Sequence, residues 1–162
     1  MVKKPGGHEK FVTVFGSYRA QEDDEEYKAA YELGCRIAQK GYTLKNGGGG
    51  GIMQASRLGA EKGGGKVIGI ILGALKNERG KNIYGDVIEC ADLFERLKKL
   101  IEGSEAFIIF GGGTGTLAEL ALVLDLTNKE LIGTEAPIIC YGNYWKGIME
   151  TLEDGKCSTL IE

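Results

Sequence analysis

Short apolar runs alternate with amphipathic stretches along the whole chain. The apolar runs are rich in β-branched and aromatic residues, so we expect them to form strands. They lie at residues 11–15, 42–44, 66–72, 86–90, 107–110 and 137–141. Between them, apolar residues at helical spacing predict one helix from the acidic run 21–26 to Lys40, and others over 52–62, 93–102, 117–126 and 144–152.

The order of these elements predicts the fold class. Strands that are apolar almost throughout are typical of a parallel sheet with helices on both faces. We therefore expect a single α/β domain over residues 11–162, Rossmann-like, with a doubly wound and mostly parallel sheet. Residues 1–10 are predicted to be a flexible tail, 73–85 a surface loop long enough to lie over a site, and 158–162 a short tail.

Composition narrows the classes of function. Of the 162 residues, 43% are apolar and 27% are charged, and the net charge of −3 disfavours a broad nucleic-acid-binding surface. The sequence shows neither a signal-peptide pattern nor an apolar run long enough to span a bilayer, so we expect a cytoplasmic protein without a membrane partner. The four cysteines are far apart and the single histidine is His8, so a zinc site is not expected.

The strongest candidate for chemistry is the glycine turn that follows the apolar run 107–110 and precedes a predicted helix. Glycines let the main chain come close to a ligand, and the free N–H groups at a helix N-terminus bind anions. We expect this turn to hold a phosphate, with Glu119 facing the sugar one helical turn further on. The predicted phosphate-binding residues are Gly112, Gly113, Thr114, Gly115 and Thr116.

Two other predicted strands also end in glycine. The carboxyl ends of parallel strands meet at one edge of a sheet, so we expect the glycine clusters to converge on one crevice. The predicted nucleotide-binding residues there are Gly16, Ser17, Arg19, Asn46, Gly47, Gly48, Gly49 and Met53. Arg19 is equally well interpreted as a surface charge, and Met53 as a core residue. The fingerprints of ordinary dinucleotide oxidoreductases and P-loop NTPases do not occur.

The segment GGTGTLAE at 112–119 resembles the P-G-G-x-G-T-x-x-E signature of the LOG ("lonely guy") family. Residues 47–53, 92–96, 15–17 and 142–145 resemble, in order, its glycine turn, its D-M-H-E-R-K segment, its first-strand C-G-S and its late G-x-Y segment. The chain departs from the family at Gly111, Phe94 and Leu97, where the family has proline, histidine and lysine. These departures indicate a divergent branch.

The resemblance implies a nucleoside 5′-monophosphate phosphoribohydrolase with Arg96 and Glu119 as catalytic residues. A carboxylate suits this reaction, because it stabilises an oxocarbenium-like state and activates water. Arg96 would orient the substrate or Glu119; its alternative interpretation is a solvated helix charge. The implied ligand is an AMP-like nucleotide, without metal or cofactor. The implied homodimer would pack through the helices 93–101 and 117–126. The older family label of possible lysine decarboxylase finds no support, since no lysine here lies in a recognisable pyridoxal phosphate setting.

Two other interpretations stay open at this point. Relatives of this fold are known as molybdenum-cofactor carriers, so the chain is also interpreted as a non-catalytic protein that binds a nucleotide or a pterin-type cofactor. The third interpretation is a structural subunit with an inactive site.

Overall fold

The computed structural model describes residues 8–73, 86–132 and 135–152, and the main chain of residues 158–160. The elements in chain order are β1 (Phe11–Phe15), α1 (Glu25–Gln39), β2 (Thr43–Asn46), α2 (Ile52–Lys62), β3 (Val67–Leu72), β4 (Asp86–Cys90), α3 (Leu93–Ile101), β5 (Ser104–Ile109), α4 (Thr114–Asn128), β6 (Ile138–Tyr141), α5 (Lys146–Thr151) and β7 (Ser158–Leu160).

These strands form one sheet in the order β4-β3-β2-β1-β5-β6-β7, and every neighbouring pair is parallel. The order runs outward in both directions from the β1–β5 pair, so the predicted doubly wound, Rossmann-like fold is confirmed. Sheets of this kind bind ligands where the strand order reverses, outside the carboxyl ends of the strands. In this chain that point lies between β1 and β5.

The two faces of the sheet carry separate apolar cores. On β5, Phe107 and Ile109 belong to a core that includes Leu100 of α3 and Leu120 of α4. The alternate residue Ile108 belongs to a second core on the opposite face, together with buried residues of α1 and α2. This alternation follows from the two-residue period of a strand, which sends successive side chains to opposite faces. Both faces of β5 are buried, as its near-continuous apolar run predicts.

Helices α1 and α2 pack closely through glycine. A Cβ atom at Gly34 would overlap the carbonyl oxygen of Ser56, and one at Gly59 would overlap that of Tyr31. Only hydrogen atoms therefore separate the two main chains at these positions. This contact sets the position of α2, whose first turn carries Met53.

Some boundaries differ from the prediction. Strand β2 begins at Thr43 and extends to Asn46, because the polar side chains of Lys45 and Asn46 find hydrogen-bond partners inside the protein. Helix α4 begins at Thr114, three residues before the predicted start. The predicted tail 158–162 contains β7, which pairs with β6; three residues give too weak a pattern to be recognised. Residues 1–7, the loop residues 74–85 and Cys157 lie outside the described residues.

One glycine cluster does not lie at the predicted edge. Gly63 caps the C-terminus of α2, and the cluster 63–65 immediately precedes β3, so it lies at the amino ends of the strands. In the ranges described, no helix has the length and apolar character to cross a bilayer.

Candidate functional site

A cavity of about 790 Å³ opens at the carboxyl ends of β1 and β5. The loop after β1, the start of α1, the first turns of α2 and α4, and the middle of α3 all contribute to its wall. The lining residues are Ser17, Tyr18, Arg19, Ala20, Asp24, Glu26, Met53, Arg96, Gly111, Gly112, Gly113, Thr114, Gly115, Thr116, Glu119 and Tyr144. The structure thus brings both predicted catalytic residues and all the predicted phosphate-binding residues into one cavity.

The N-terminus of α4 supplies main-chain donors to this cavity. Gly113 is the N-cap of α4, and because glycine has no side chain, no capping bond is made to the N–H groups of the first turn. In the part of the chain that the structure describes, the N–H groups of Thr114, Gly115 and Thr116 have no hydrogen-bond partner. Thr114 and Gly115 are exposed, and the Thr116 side chain packs so closely on Gly112 that a Cβ there would overlap it. The arrangement suits an anion, because the helix dipole and the unbonded N–H groups act together.

The carbonyl groups of the preceding turn are all bonded to the protein. The carbonyl of Phe110 accepts a hydrogen bond from Trp145 Nε1 at 3.0 Å, and that of Gly111 from the N–H of Ser17 at 2.9 Å. The carbonyl of Gly112 accepts from the Tyr144 hydroxyl at 2.7 Å. One donor lies in the loop after β1, and the other two are consecutive residues in the segment after β6. They hold the turn in one conformation before any ligand arrives.

Arg96 and Glu119 form a buried pair at the bottom of the cavity. Arg96 Nη1 lies 3.5 Å from Glu119 Oε1, and the two residues are 7% and 9% exposed. Arg96 also donates from Nε to the carbonyl of Ile70 at 2.9 Å and from Nη2 to that of Gly47 at 3.4 Å. The guanidinium group is therefore fixed by β3, by the turn after β2 and by α4. This excludes its interpretation as a solvated helix charge.

The start of α3 helps to place Arg96. Asp92 is the N-cap, and its carboxylate accepts a hydrogen bond from the N–H of Glu95 at 2.9 Å. In return, the Glu95 carboxylate accepts from the N–H of Ala91 at 2.8 Å. This reciprocal capping fixes the first turn of the helix, and Arg96 follows Glu95 directly.

The second glycine turn supports the site from behind. A Cβ atom at Gly47 would overlap Arg96 Nη2 and lie 2.8 Å from Met53 Sδ, so glycine is needed for Arg96 to reach its position. The Asn46 amide donates to the carbonyl of Met53 at 2.8 Å and accepts from the N–H of Gly48 at 2.9 Å. Of the predicted nucleotide-binding residues, Ser17, Arg19 and Met53 line the cavity, whereas Gly16, Asn46, Gly47, Gly48 and Gly49 do not.

The cavity wall also contains residues that sequence reasoning missed, and two of them, Glu26 and Tyr144, lie beside the glycine turn. Glu26 belongs to the acidic run at the start of the predicted first helix, yet it is half-buried, and its Oε1 lies 3.2 Å from the point where a Cβ atom of Gly111 would stand. Burial raises the pKa of Glu26, and the interaction with the Gly111 N–H opposes that shift. The available signal for the burial of Glu26 was its spacing: it lies four residues before the buried Ala30, and residues four apart share one face of a helix. Tyr144 lines the cavity while 60% exposed.

The departures from the family signature lie in two places. Phe94 and Leu97 line a groove of about 620 Å³ between α3 and α4, outside the cavity. Gly111 lies in the cavity wall. Among the described residues, no group of three or more His, Cys, Asp and Glu side chains is placed to hold a metal ion.

Residues 9–156 match the sequence profile of the SLOG cluster4 family. The chain therefore belongs to the SLOG cluster4 family. The resemblance to LOG proteins is also confirmed: the cytokinin riboside 5′-monophosphate phosphoribohydrolase LOG1 of Arabidopsis thaliana is 34% identical over 146 residues, 89% of this chain and 68% of that protein. An uncharacterised protein of Archaeoglobus fulgidus is 36% identical over 121 residues, 74% of this chain and 78% of that protein.

Other relatives show how far the similarity to this chain extends in length and in fold. The chain spans 52% and 51% of the length of two further plant proteins of the LOG group. Among solved structures, the molybdenum cofactor binding protein of Rippkaea orientalis has a TM-score of 0.77 at 24% identity, covering 97% of this chain and 92% of that one. This SLOG cluster4 member thus shares its fold with that cofactor-binding protein.

Proposed function

We propose that this SLOG cluster4 protein hydrolyses the N-glycosidic bond of a nucleoside 5′-monophosphate, giving the free base and ribose 5-phosphate. One observation carries the proposal: the buried Arg96–Glu119 pair lies in the same cavity as the unbonded N–H groups of Thr114, Gly115 and Thr116. An anion site beside a carboxylate is what a phosphorylated sugar requires.

Each group of residues has a separate role in the proposed reaction. The N–H groups at the start of α4 bind the 5′-phosphate and so place the sugar above Glu119, which lies on the same helix. As the bond from the anomeric carbon to the base breaks, the base leaves with the electron pair, and positive charge develops on the sugar. The Glu119 carboxylate stabilises that charge and takes a proton from the attacking water, whose oxygen bonds to the anomeric carbon. That proton then passes to the departing nitrogen of the base, which regenerates the carboxylate. Arg96 holds Glu119 in place.

The comparisons support this chemistry at the level of the group. Relatives that carry the name phosphoribohydrolase are 34% and 37% identical to the chain. The cytokinin substrates in those names belong to those proteins. For this chain we propose an AMP-like nucleotide, because the anion turn holds one phosphate and the remaining cavity is bordered by Met53 and Tyr144.

The second candidate function is non-catalytic binding of a nucleotide or a pterin-type cofactor. The fold shared with a molybdenum cofactor binding protein favours it, as does the cavity volume of about 790 Å³. In this case the N–H groups of α4 still bind a phosphate, and the Arg96–Glu119 pair serves to position the ligand.

Release of base from nucleotides tests the proposal. The purified chain is incubated with AMP, GMP, CMP and UMP, and free base and ribose 5-phosphate are measured by chromatography. We expect stoichiometric release of both products from at least one nucleotide. Tight binding of a nucleotide without release of base would overturn the hydrolase and favour the carrier.

We also propose that the protein forms a homodimer through the groove between α3 and α4. The outer faces of these helices expose apolar side chains, with Phe94 83% and Leu93 50% exposed, and Leu131 beside them is 67% exposed. Exposed apolar patches of this kind mark interaction sites. We propose a second copy of the chain as the partner, because in a symmetric dimer the apolar patch of each copy would cover that of the other.

A further inference from the structure

The Glu26 carboxylate is attached to the turn that leads into the anion site. Its Oε1 lies 3.2 Å from the point where a Cβ atom of Gly111 would stand, and the interaction with the Gly111 N–H opposes the rise that burial causes in the pKa of Glu26. The carbonyl of the same glycine accepts from Ser17 at 2.9 Å, so Gly111 is held on both sides. Glu26 is therefore not a mobile surface charge: α1 carries it, and the turn before α4 fixes it in the cavity wall.

Gly111 makes this contact possible. A Cβ atom there would lie 3.0 Å from Cδ2 of Tyr144 and 3.2 Å from Oε1 of Glu26. A proline, which the LOG signature has at this position, also lacks the main-chain N–H that interacts with the Glu26 carboxylate. The change from proline to glycine and the placement of Glu26 thus form one local arrangement.

The cavity wall carries both acidic and basic side chains, and so lacks the excess of positive charge that is typical of a polyanion site. Its carboxylates belong to Asp24, Glu26 and Glu119, and its guanidinium groups to Arg19 and Arg96. Arg96 is paired with Glu119. Attraction for a phosphate therefore comes from the main-chain N–H groups of α4, which provide for one phosphate group, and from the exposed Arg19, whose Nε donates to the Tyr18 hydroxyl at 3.0 Å.

We propose that Glu26 determines ligand specificity: it accepts a hydrogen bond from a sugar hydroxyl and excludes ligands that carry a second phosphate on that hydroxyl. This inference rests on the proposed binding of a nucleoside monophosphate. Thr114 lies three positions after Gly111, a span of at most about 10 Å. A ligand anchored on the N–H groups of Thr114 thus has its sugar within about one Debye length of the Glu26 charge.

The test compares two kinds of ligand in three proteins. Dissociation constants for adenosine 5′-monophosphate and for adenosine 2′,5′- and 3′,5′-bisphosphates are measured by calorimetry at about 0.1 M salt. The proteins are the wild type, Glu26→Gln, and Glu25→Gln as the matched control. Glu25 is the adjacent acid, its side chain is 90% exposed, and it does not line the cavity.

In the wild type, we expect the monophosphate to bind about 10-fold more tightly than at least one bisphosphate. Glu26→Gln keeps the shape and an acceptor oxygen but removes the charge, so this preference should fall about 10-fold. Glu25→Gln should leave it unchanged. A purely structural role of Glu26 would weaken both ligands equally and leave their ratio unaltered.

Two results would overturn the inference, and they are distinguishable. If the wild type binds the monophosphate and Glu26→Gln retains the same preference, this inference alone is wrong. If the wild type binds none of these nucleotides, the proposed function is wrong and the inference with it.

Discussion

Arg96 Nη1 lies 3.5 Å from Glu119 Oε1, and the two side chains are only 8% and 12% exposed. The pair joins α3 to α4 beside the N–H groups that we propose bind a phosphate. Removing one partner of a buried ion pair leaves the other charge unsolvated, whereas an exposed pair contributes little. Activity and stability should therefore respond differently to changes at the two residues.

Glu119→Gln should abolish most hydrolysis. Glutamine keeps the size of the side chain and an oxygen near Arg96, but it can neither stabilise positive charge nor accept a proton from water. We expect kcat for release of base to fall by about 10²- to 10⁴-fold, measured by chromatography with AMP. Glu105→Gln, on the exposed ion pair with Lys10, is the control and should retain full activity. A Glu119→Gln variant with more than about a tenth of wild-type kcat would contradict the role of this carboxylate.

Arg96→Lys should destabilise the protein although it keeps the positive charge. Arg96 reaches Glu119 and the carbonyls of Ile70 and Gly47 through its planar fork, which an ammonium group cannot reproduce. We expect the free energy of unfolding to fall by about 3 kcal/mol in urea titrations.

The matched control for Arg96→Lys is Arg36→Lys. Arg36 pairs with Glu32 on the surface of α1 and its side chain is 72% exposed, so the change should be within about 0.5 kcal/mol. Equal effects of the two substitutions would show that the buried fork is not what stabilises this part of the fold.

Gly111→Pro, which restores the family's residue, should be destabilising in this chain. The ring would meet Tyr144 and Glu26 Oε1, and the N–H that interacts with the Glu26 carboxylate would be lost. We expect a loss of about 2 kcal/mol in the free energy of unfolding. Gly115→Ala is the control, since a Cβ at Gly115 meets nothing within 4 Å and alanine is a better helix former than glycine, so stability should not fall. If Gly111→Pro is as stable as the wild type, the coupling of Gly111 to Glu26 and Tyr144 is refuted.

Lys45→Met should remove one component of the pH dependence of stability. Burial lowers the pKa of Lys45 to about 8 from 10.5. Between these values the unfolded chain binds a proton that the folded chain does not, so this residue makes stability rise with pH. Below about pH 8 the lysine is charged in both states and adds no slope.

The measurement for Lys45 is the difference between wild type and Lys45→Met in urea titrations from pH 7.5 to pH 10.5. We expect the wild type to gain about 2 kcal/mol relative to the variant across this window. The variant also loses the donor to the carbonyls of Lys99 and Glu102, which shifts its stability at every pH without changing the slope. A difference that is constant with pH would rule out the lowered pKa.

Phe94→Glu should weaken the proposed homodimer. Phe94 is 83% exposed in the single chain, and burying its ring at an interface would contribute about 2 kcal/mol. A buried glutamate would instead cost free energy, so we expect the dimer dissociation constant to rise at least about 30-fold in sedimentation experiments. Leu152→Glu, an exposed apolar residue outside the groove, is the control. A wild-type chain that is monomeric at micromolar concentration would exclude the dimer.

Most of the fold was predictable from local patterns. The runs at β1, β4 and α2 were predicted with the boundaries that the structure shows. The phosphate turn was also recognisable, because strand, glycines and helix follow one another directly in the chain. The errors fell where local signals are weak or tertiary contacts override them. Strand β7 is too short for a pattern, and β2 buries Lys45 because the carbonyls at the end of α3 accept its hydrogen bonds.

The sequence by itself determined the order of strands and helices, the parallel sheet and the glycine turn before α4, since each depends on residues that are neighbours in the chain. Only the tertiary structure decided which side chains meet around that turn. Glu26, Arg96 and Tyr144 come from three separate elements, and whether each faces the cavity depends on how α1, α3 and the segment after β6 pack on the sheet. It also decided that the second glycine turn lies behind Arg96, because the space that its glycines leave is occupied by a guanidinium group from 49 residues away along the chain.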